Sequence, residues 1–307
     1  MTTDPTAAAN DSIPFRLGAV GVDSSHLPEF TRRINERFDA GLTRCRVTAF
    51  WADGQHDMPA DQVATWVADT EALGARPHDQ LDTMLDAVDG VMVLTVNGHK
   101  HLAHATPALE RGLPTYVDKP LTCDPAEAKT LLALSEKYGA RCYSASSLRF
   151  AAEVHGAKAA DLGALAAIDA YGPGELHELM AGTFFYGVHT IEMVDALWGP
   201  GVAEVSARQT EDRDLLQMRY HDGRTACLRL ERRGAYDFGA TVHGSKAIQS
   251  FKVDFATVYD RLIDAMIRFF AEGEAPVSLV DIVENVAVMA AANRSFTLDG
   301  AWVKVDA

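Results

Sequence analysis

The sequence predicts an α/β chain in two parts: a doubly wound parallel-sheet domain over residues 15–148, then an α+β domain with a mostly antiparallel open sheet over residues 149–307. Three observations carry this. Short apolar runs alternate with helical patterns through the first half, as parallel strands covered on both faces require. After Arg149 the rhythm turns to strands joined by tight turns, with Asp222-Gly223 as the strongest hairpin signal. A chain of 307 residues is long for one core and comfortable for two.

The elements run in order along the chain. Residues 1–14 are polar, lack the basic and apolar segments of a signal peptide, and are expected to form a disordered tail. A strand over 15–22 reaches a turn at Asp23, Ser24 and Ser25, and a helix over 27–34 comes next. A second strand over 47–52 stops at Asp53, with helices over 60–73 and 78–85 beyond it. The third strand, over 90–96, is apolar throughout. A helix over 100–111, a strand over 115–117, a helix over 125–137 and a strand over 141–144 complete the first domain. In the second, strands over 215–220 and 225–230 flank the hairpin, and His243-Gly244-Ser245 marks another turn. Helices are expected over 258–270 and from Ser278, which with Asp281 offers an N-cap signature, toward Asn293.

Composition excludes several partners. The net charge of −15, from 43 acidic against 28 basic residues, argues against nucleic acid and against an anionic membrane surface. No apolar run reaches the roughly 18 residues of a membrane span. The four cysteines, Cys45, Cys123, Cys142 and Cys227, form no C-x-x-C pair; they suit neither a zinc frame nor a disulfide scaffold. A soluble, cytoplasmic protein is expected.

Parallel sheets bind ligands at the carboxyl ends of their strands. There the first turn reads Gly21-Val22-Asp23-Ser24-Ser25-His26, the six positions where a dinucleotide fold places Gly-x-Gly-x-x-Gly. Only the first glycine is present. Asp23 puts a carboxylate where a pyrophosphate is expected, and like charges repel. Ser24, Ser25 and the first N–H groups of the helix are phosphate donors, and His26 can add positive charge. Asp53, ending the second strand, stands where an acid holds the ribose hydroxyls of NAD, although a solvated turn aspartate reads the same. With no arginine nearby for a 2′-phosphate, NAD is favoured and NADP is the alternative.

Four further stretches, in order, are more specific: Thr95-Val96-Asn97 with His101 after the third strand, Asp118-Lys119-Pro120 after the fourth, Arg149-Phe150 at the domain exit, and Gly187-Val188-His189 with Glu192 and Asp195 beyond. Together they resemble the Gfo/Idh/MocA family of oxidoreductases, which includes glucose–fructose oxidoreductase and inositol dehydrogenase. The resemblance implies an N-terminal Rossmann dinucleotide-binding domain and a C-terminal substrate-binding and oligomerisation domain, with substrate held between them. It implies Lys119 near both nicotinamide and substrate, His189 as the acid/base, and Thr95, Val96, Asn97, His101, Asp118 and Pro120 around the cofactor. Arg149, Phe185 and Tyr186 join Lys119 and His189 at the substrate, Tyr186 as a further catalytic group. The chain departs from the family pattern at Val96 in place of proline, at Asp118 in place of glutamate, and at Phe185 in place of an aspartate.

Oxidising an alcohol by hydride transfer needs a proton acceptor and a positive charge for alkoxide character. Lys119 supplies the charge and His189 titrates near neutral pH, so the two suffice as a proton relay. The bland readings are a turn lysine and a core histidine. The histidines at 99, 101 and 104, and the His189/Glu192 pair, are weighed as metal ligands and set aside; no metal is expected. The apolar residues Phe184, Phe185, Met193 and Trp198 point to a pocket less polar than a hexose site demands. An NAD(P)-dependent dehydrogenase or reductase acting on a sugar, cyclitol or related polyhydroxylated small molecule is the leading expectation. The alternatives are an NAD-retaining epimerase, lyase or glycosidase that oxidises transiently, and a non-catalytic ligand-binding or partner protein. A homodimer or homotetramer is expected, because an open sheet leaves a face to cover.

Overall fold

A computed structural model of the protein describes residues 13–54 and 56–306; the tail expected over 1–14 lies, but for its last two residues, outside them. The chain divides into two compact units. One takes residues up to Asp118 with Ala133–Tyr143 and Ile263–Pro276, and the other takes Lys119–Leu132, Ser144–Leu262 and the chain from Val277 onward.

The first unit is built on β1 (Phe15–Val20), α1 (His26–Asp39), β2 (Cys45–Trp51), α2 (Ala60–Ala72), β3 (Arg76–His78), α3 (Leu81–Leu85), β4 (Gly90–Val93), α4 (His101–Glu110), β5 (Thr115–Val117), the end of α5 (Pro125–Tyr138) from Ala133 onward, and β6 (Cys142–Ser144). Its six-stranded sheet runs β3-β2-β1-β4-β5-β6. Pairing is parallel from β3 through β5. The order reverses between β1 and β4, where doubly wound sheets open a crevice beyond the strand ends.

Two expectations are corrected here. The helix expected over 78–85 is the short strand β3 followed by the five-residue α3; Pro77 has no N–H for a central ladder and sits on an edge strand, where none is needed. The strand expected over 90–96 ends at Val93, because Thr95 and Val96 turn away to contact the loop after β1. Apolarity marked the buried run but not where it leaves the sheet.

A chain of rings fills one side of this unit. Tyr116 and Tyr143 lie 5.1 Å apart by centroid, Tyr143 and Phe269 4.7 Å, and Phe269 and Phe270 4.9 Å, all four fully buried. The phenylalanines come from α8 (Val258–Glu272), whose residues from Ile263 belong to this unit. A late helix is thus part of the first core.

The second unit adds α6 (Ala152–Ala159), β7 (Leu165–Pro173), α7 (Gly187–Trp198), β8 (Val202–Gln209), β9 (Arg213–Tyr220), β10 (Thr225–Glu231), β11 (Gly239–Gly244), β12 (Ile248–Lys252), α9 (Leu279–Thr297) and β13 (Val303–Lys304). The sheet order is β12-β11-β7-β10-β9-β8-β13. Its neighbouring strands pair antiparallel except β7 with β10, since α7 intervenes between β7 and the strands beyond it. The β9–β10 hairpin forms at the foreseen place, its turn spanning residues 221–224 with Gly223 at φ +91°. Alternation is strict on β9, where Asp214, Leu216, Met218 and Tyr220 face the core. Helix α7 lies on β7 and β10, and α9 on β8. Ser278 caps α9 by accepting the N–H of Asp281 at 3.1 Å, as its sequence signature foretells.

Truncating the ring chain tests the late helix's contribution. Phe269→Ala is expected to lower unfolding stability by about 3–5 kcal/mol. Tyr143→Phe should stay within about 1 kcal/mol of the parent in urea denaturation, because the Tyr143 hydroxyl has no hydrogen-bond partner among the described residues.

Candidate functional site

At the switch point of the first sheet, two strand ends meet through a glycine. Gly21 has φ +95°, and a Cβ there would stand 2.5 Å from Thr95 Oγ1 and 2.7 Å from the Thr95 nitrogen. Only glycine allows the loop after β1 to lie against the loop after β4.

The next positions explain how the loop does without its other glycines. Asp23 is 2% exposed, and its Oδ1 accepts the N–H of Val96 at 3.2 Å. Burial pushes its carboxyl above the ordinary aspartate range, against the pull of that N–H. The carboxylate expected to face a pyrophosphate is instead turned into the β4 loop. Proline at position 96 would have no N–H to give. Two departures from the family pattern are therefore one hydrogen bond.

A second pair matches. His26 Nδ1 lies 2.7 Å from Asp118 Oδ2, while Asp118 Oδ1 accepts the Tyr116 hydroxyl at 3.1 Å. The His26 ring stacks on Phe30 at 4.6 Å. The residue in place of the third glycine is thus tied to the residue in place of the glutamate. Ser24 Oγ accepts the His26 N–H at 3.1 Å, and Ser25 is exposed and caps nothing with its side chain.

Asp53 is held by residues that the sequence did not connect to it. Lys100 Nζ is 3.1 Å and His104 Nε2 3.4 Å from Asp53 Oδ2. The cation paired with Asp53 is a lysine. Burial lowers His104 to about 4 despite Asp53, so its ring is neutral at pH 7, with Nδ1 2.8 Å from Thr95 Oγ1. His101 is fully buried, with Nε2 2.7 Å from the Thr95 carbonyl. Asn97 Oδ1 accepts the His99 N–H at 3.1 Å, and its Nδ2 donates to Asp57 at 3.2 Å. His101 and His104 are thereby engaged with Thr95 and Asp53, and no group of three His, Cys, Asp or Glu among the described residues could hold a metal.

The second unit gathers the other set. Helix α7 is buried at every position except His189. Its Nδ1 is 2.7 Å from Ser146 Oγ, which also accepts the Leu148 N–H at 3.2 Å. The Ser146 N–H in turn donates to Glu192 Oε2 at 2.8 Å. Arg149 pairs with Glu192 at 3.4 Å and with Asp195, and Asn285 donates to Asp195 at 3.2 Å. Burial raises the Glu192 carboxyl to about 6, while Arg149 pulls it back. Arg149 is thus a buried tie between the Ser146 turn and α7. Ser146 and Glu192 lie in or beside the sequence motifs, yet nothing in one sequence tells that they support His189.

Lys119 precedes Pro120 through a cis peptide and is half-buried. Its Nζ lies 5.9 Å from the Phe185 ring centroid. Tyr186 packs edge-on against Phe185 at 5.1 Å, His189 at 5.3 Å and Tyr236 at 5.7 Å. Phe238 meets His189 at 5.9 Å. Lys119, Phe185, Tyr186 and His189 therefore share one neighbourhood, joined by Tyr236 and Phe238, which the sequence did not single out. Of the apolar residues expected in a pocket, Phe184, Met193 and Trp198 are buried in the core, at 5%, 0% and 8% exposure.

Residues 15–146 match the family model described as "Oxidoreductase family, NAD-binding Rossmann fold". No characterised protein matches by sequence. By structure, the chain is similar to GenD2 from gentamicin A biosynthesis in complex with NAD, at 18% identity and TM-score 0.80, covering 100% of both chains. It is similar to scyllo-inositol dehydrogenase from Lactobacillus casei with bound NAD(H) and scyllo-inositol, at 14% identity and TM-score 0.79, covering 95% of this chain and 99% of that one. It is also similar to myo-inositol 2-dehydrogenase from Lactobacillus plantarum, at 15% identity and TM-score 0.79, covering 95% and 100%. Among the described residues no helix is long and apolar enough to cross a membrane. The two-unit fold is thus shared along the chain, and residues 15–146 are similar to the NAD-binding Rossmann domain of the Gfo/Idh/MocA oxidoreductases.

Proposed function

We propose that the protein is an NAD-dependent dehydrogenase or reductase acting at a hydroxyl-bearing carbon, with Lys119 and His189 as its proton relay. The observation that carries this is the isolation of His189 as the one incompletely buried residue of α7, oriented by Ser146, in the same aromatic neighbourhood as Lys119. A sugar, cyclitol or related hydroxy compound is the substrate class that the inositol dehydrogenases of this fold support.

The first-unit loops fit a dinucleotide. Gly21 permits close backbone approach, the buried Asp23 turns its carboxyl onto the Val96 N–H, and Asp53 stands at the end of β2. The N–H groups at the start of α1, Asp53 and the Thr95–Val96–Asn97 turn would hold it, and NADP is the alternative. When bound, this group supplies the hydride acceptor or donor. His189 takes the hydroxyl proton at Nε2 in the tautomer whose Nδ1–H donates to Ser146 Oγ. Lys119 places positive charge where alkoxide character develops, and Tyr186 is a further polar group for the same oxygen.

A cytoplasmic location and a homodimer or homotetramer belong to the same reading. The four cysteines are free thiols, and the outer sheet face leaves Tyr171 38% and Leu215 40% exposed.

Two sets of variants test this. Lys119→Ala is expected to abolish turnover in a reduced-nicotinamide absorbance assay, and His189→Ala to cut it by about a hundredfold at neutral pH. Retained activity in the lysine variant, or an unchanged pH profile in the histidine variant, removes that residue from the relay. For the loop, Asp23→Gly and Val96→Pro are each expected to weaken NADH binding. The double variant should fall short of the summed losses by about 1 kcal/mol, since it alone leaves no partner unmatched. Strict additivity in fluorescence titrations would break the link between the two residues.

A further inference from the structure

The neighbourhood of Lys119 is aromatic and supplies that lysine with no counter-charge. Among the described residues its ammonium makes no hydrogen bond or ion pair, and it stands over the Phe185 ring. Glu192 and Asp195, on the helix that carries His189, are taken up by Arg149. Glu175 acts on the Tyr236 phenol, which burial and Tyr186 keep protonated. Phe185 stands where the family pattern has a carboxylate, and no ion pair to Lys119 forms among the described residues.

Rings and an unbalanced ammonium select a ligand between them. A neutral polyol directs hydroxyls to every side, and those facing the Phe185 ring would lose water without gaining hydrogen bonds. A half-buried ammonium gains most from an anion, through a charge-assisted hydrogen bond. A flat apolar face gains from packing on Phe185, Tyr186 and Tyr236, of which Tyr236 is 52% exposed.

We propose that the substrate is a ring-bearing 2-hydroxy acid, or the matching 2-keto acid, whose carboxylate pairs with Lys119 and whose ring lies on Phe185, Tyr186 and Tyr236. This rests on the dehydrogenase reading and, among its hydroxy compounds, takes a hydroxy acid in place of a sugar or cyclitol. One ammonium serves both the carboxylate and the reacting oxygen, so the two lie on neighbouring carbons. Oxidation then moves a hydride from the hydroxyl carbon to NAD and the hydroxyl proton to His189, leaving the keto acid.

Calorimetric titration separates the ligand classes, with and without NADH, using mandelate, its neutral relative 1-phenyl-1,2-ethanediol, and myo-inositol. Mandelate is expected to bind at least about tenfold more tightly than either neutral compound. Phe185→Asp is expected to erase that preference, because the new carboxylate takes the ammonium. Phe185→Leu removes the ring without adding charge and should keep the preference for the acid. Equal or tighter binding of myo-inositol or of the diol would overturn the proposal, as would mandelate affinity unchanged by Phe185→Asp. Failure of the parent protein to bind NADH would instead sink the dehydrogenase reading, while the titrations without NADH still decide between the ligands.

Discussion

The close approach of Gly21 to Thr95 is the constraint on which the first unit's candidate site depends. A Cβ at Gly21 would stand 2.5 Å from the threonine hydroxyl and 2.7 Å from its backbone nitrogen. Both partners lie where the strand order reverses, so the contact fixes the loops that border the crevice. Thr95 in turn organises the start of α4: its carbonyl holds His101, its hydroxyl holds His104, and His104 reaches Asp53 at the end of β2. Three strand ends are connected through one residue, and a glycine makes room for it.

The departures from the glycine-rich pattern make sense as pairs. Read singly, Asp23 and His26 look like damage to a phosphate loop, and Val96 and Asp118 like drift. Joined by hydrogen bonds at 3.2 Å and 2.7 Å, each supplies what its partner needs. Backbone flexibility at two glycines has been exchanged for two side-chain ties. Such ties hold a loop in place at lower conformational freedom, which reduces the ordering cost when a ligand binds.

Much of the fold was legible because burial leaves a periodic trace. Apart from β3, the strands of the first sheet, with the β9–β10 hairpin and the cap of α9 at Ser278, follow from apolar runs, Asp-Gly and Ser-x-x-Asp. The boundaries at Val93 and around Pro77 were not legible, since contacts from distant loops decide them. The site shows the same division. Lys119 and His189 stand out by residue type and motif position. Ser146, Lys100, His104 and Tyr236 do not, because a hydrogen bond between residues 43 or 47 positions apart, or a ring contact, leaves no local pattern. Phe184, Met193 and Trp198 were legible as apolar but not as core, because pocket linings and cores draw on the same residue types.

An acidic chain that binds an anionic dinucleotide must suppress its own charge locally. The chain's net charge is −15, and three aspartates, Asp23, Asp53 and Asp118, stand in the first-unit site. Each is muted differently. Asp23 is buried, with its carboxyl raised toward the neutral form. Asp53 is paired with Lys100, and Asp118 with His26 and Tyr116. The long-range field of the remaining acids is screened over about 8–10 Å at physiological salt. The donors close at hand then decide what binds, so surface acidity serves solubility without governing the site. In the second unit the acids of α7, Glu192 and Asp195, are taken up by Arg149, while Lys119 stands over the Phe185 ring.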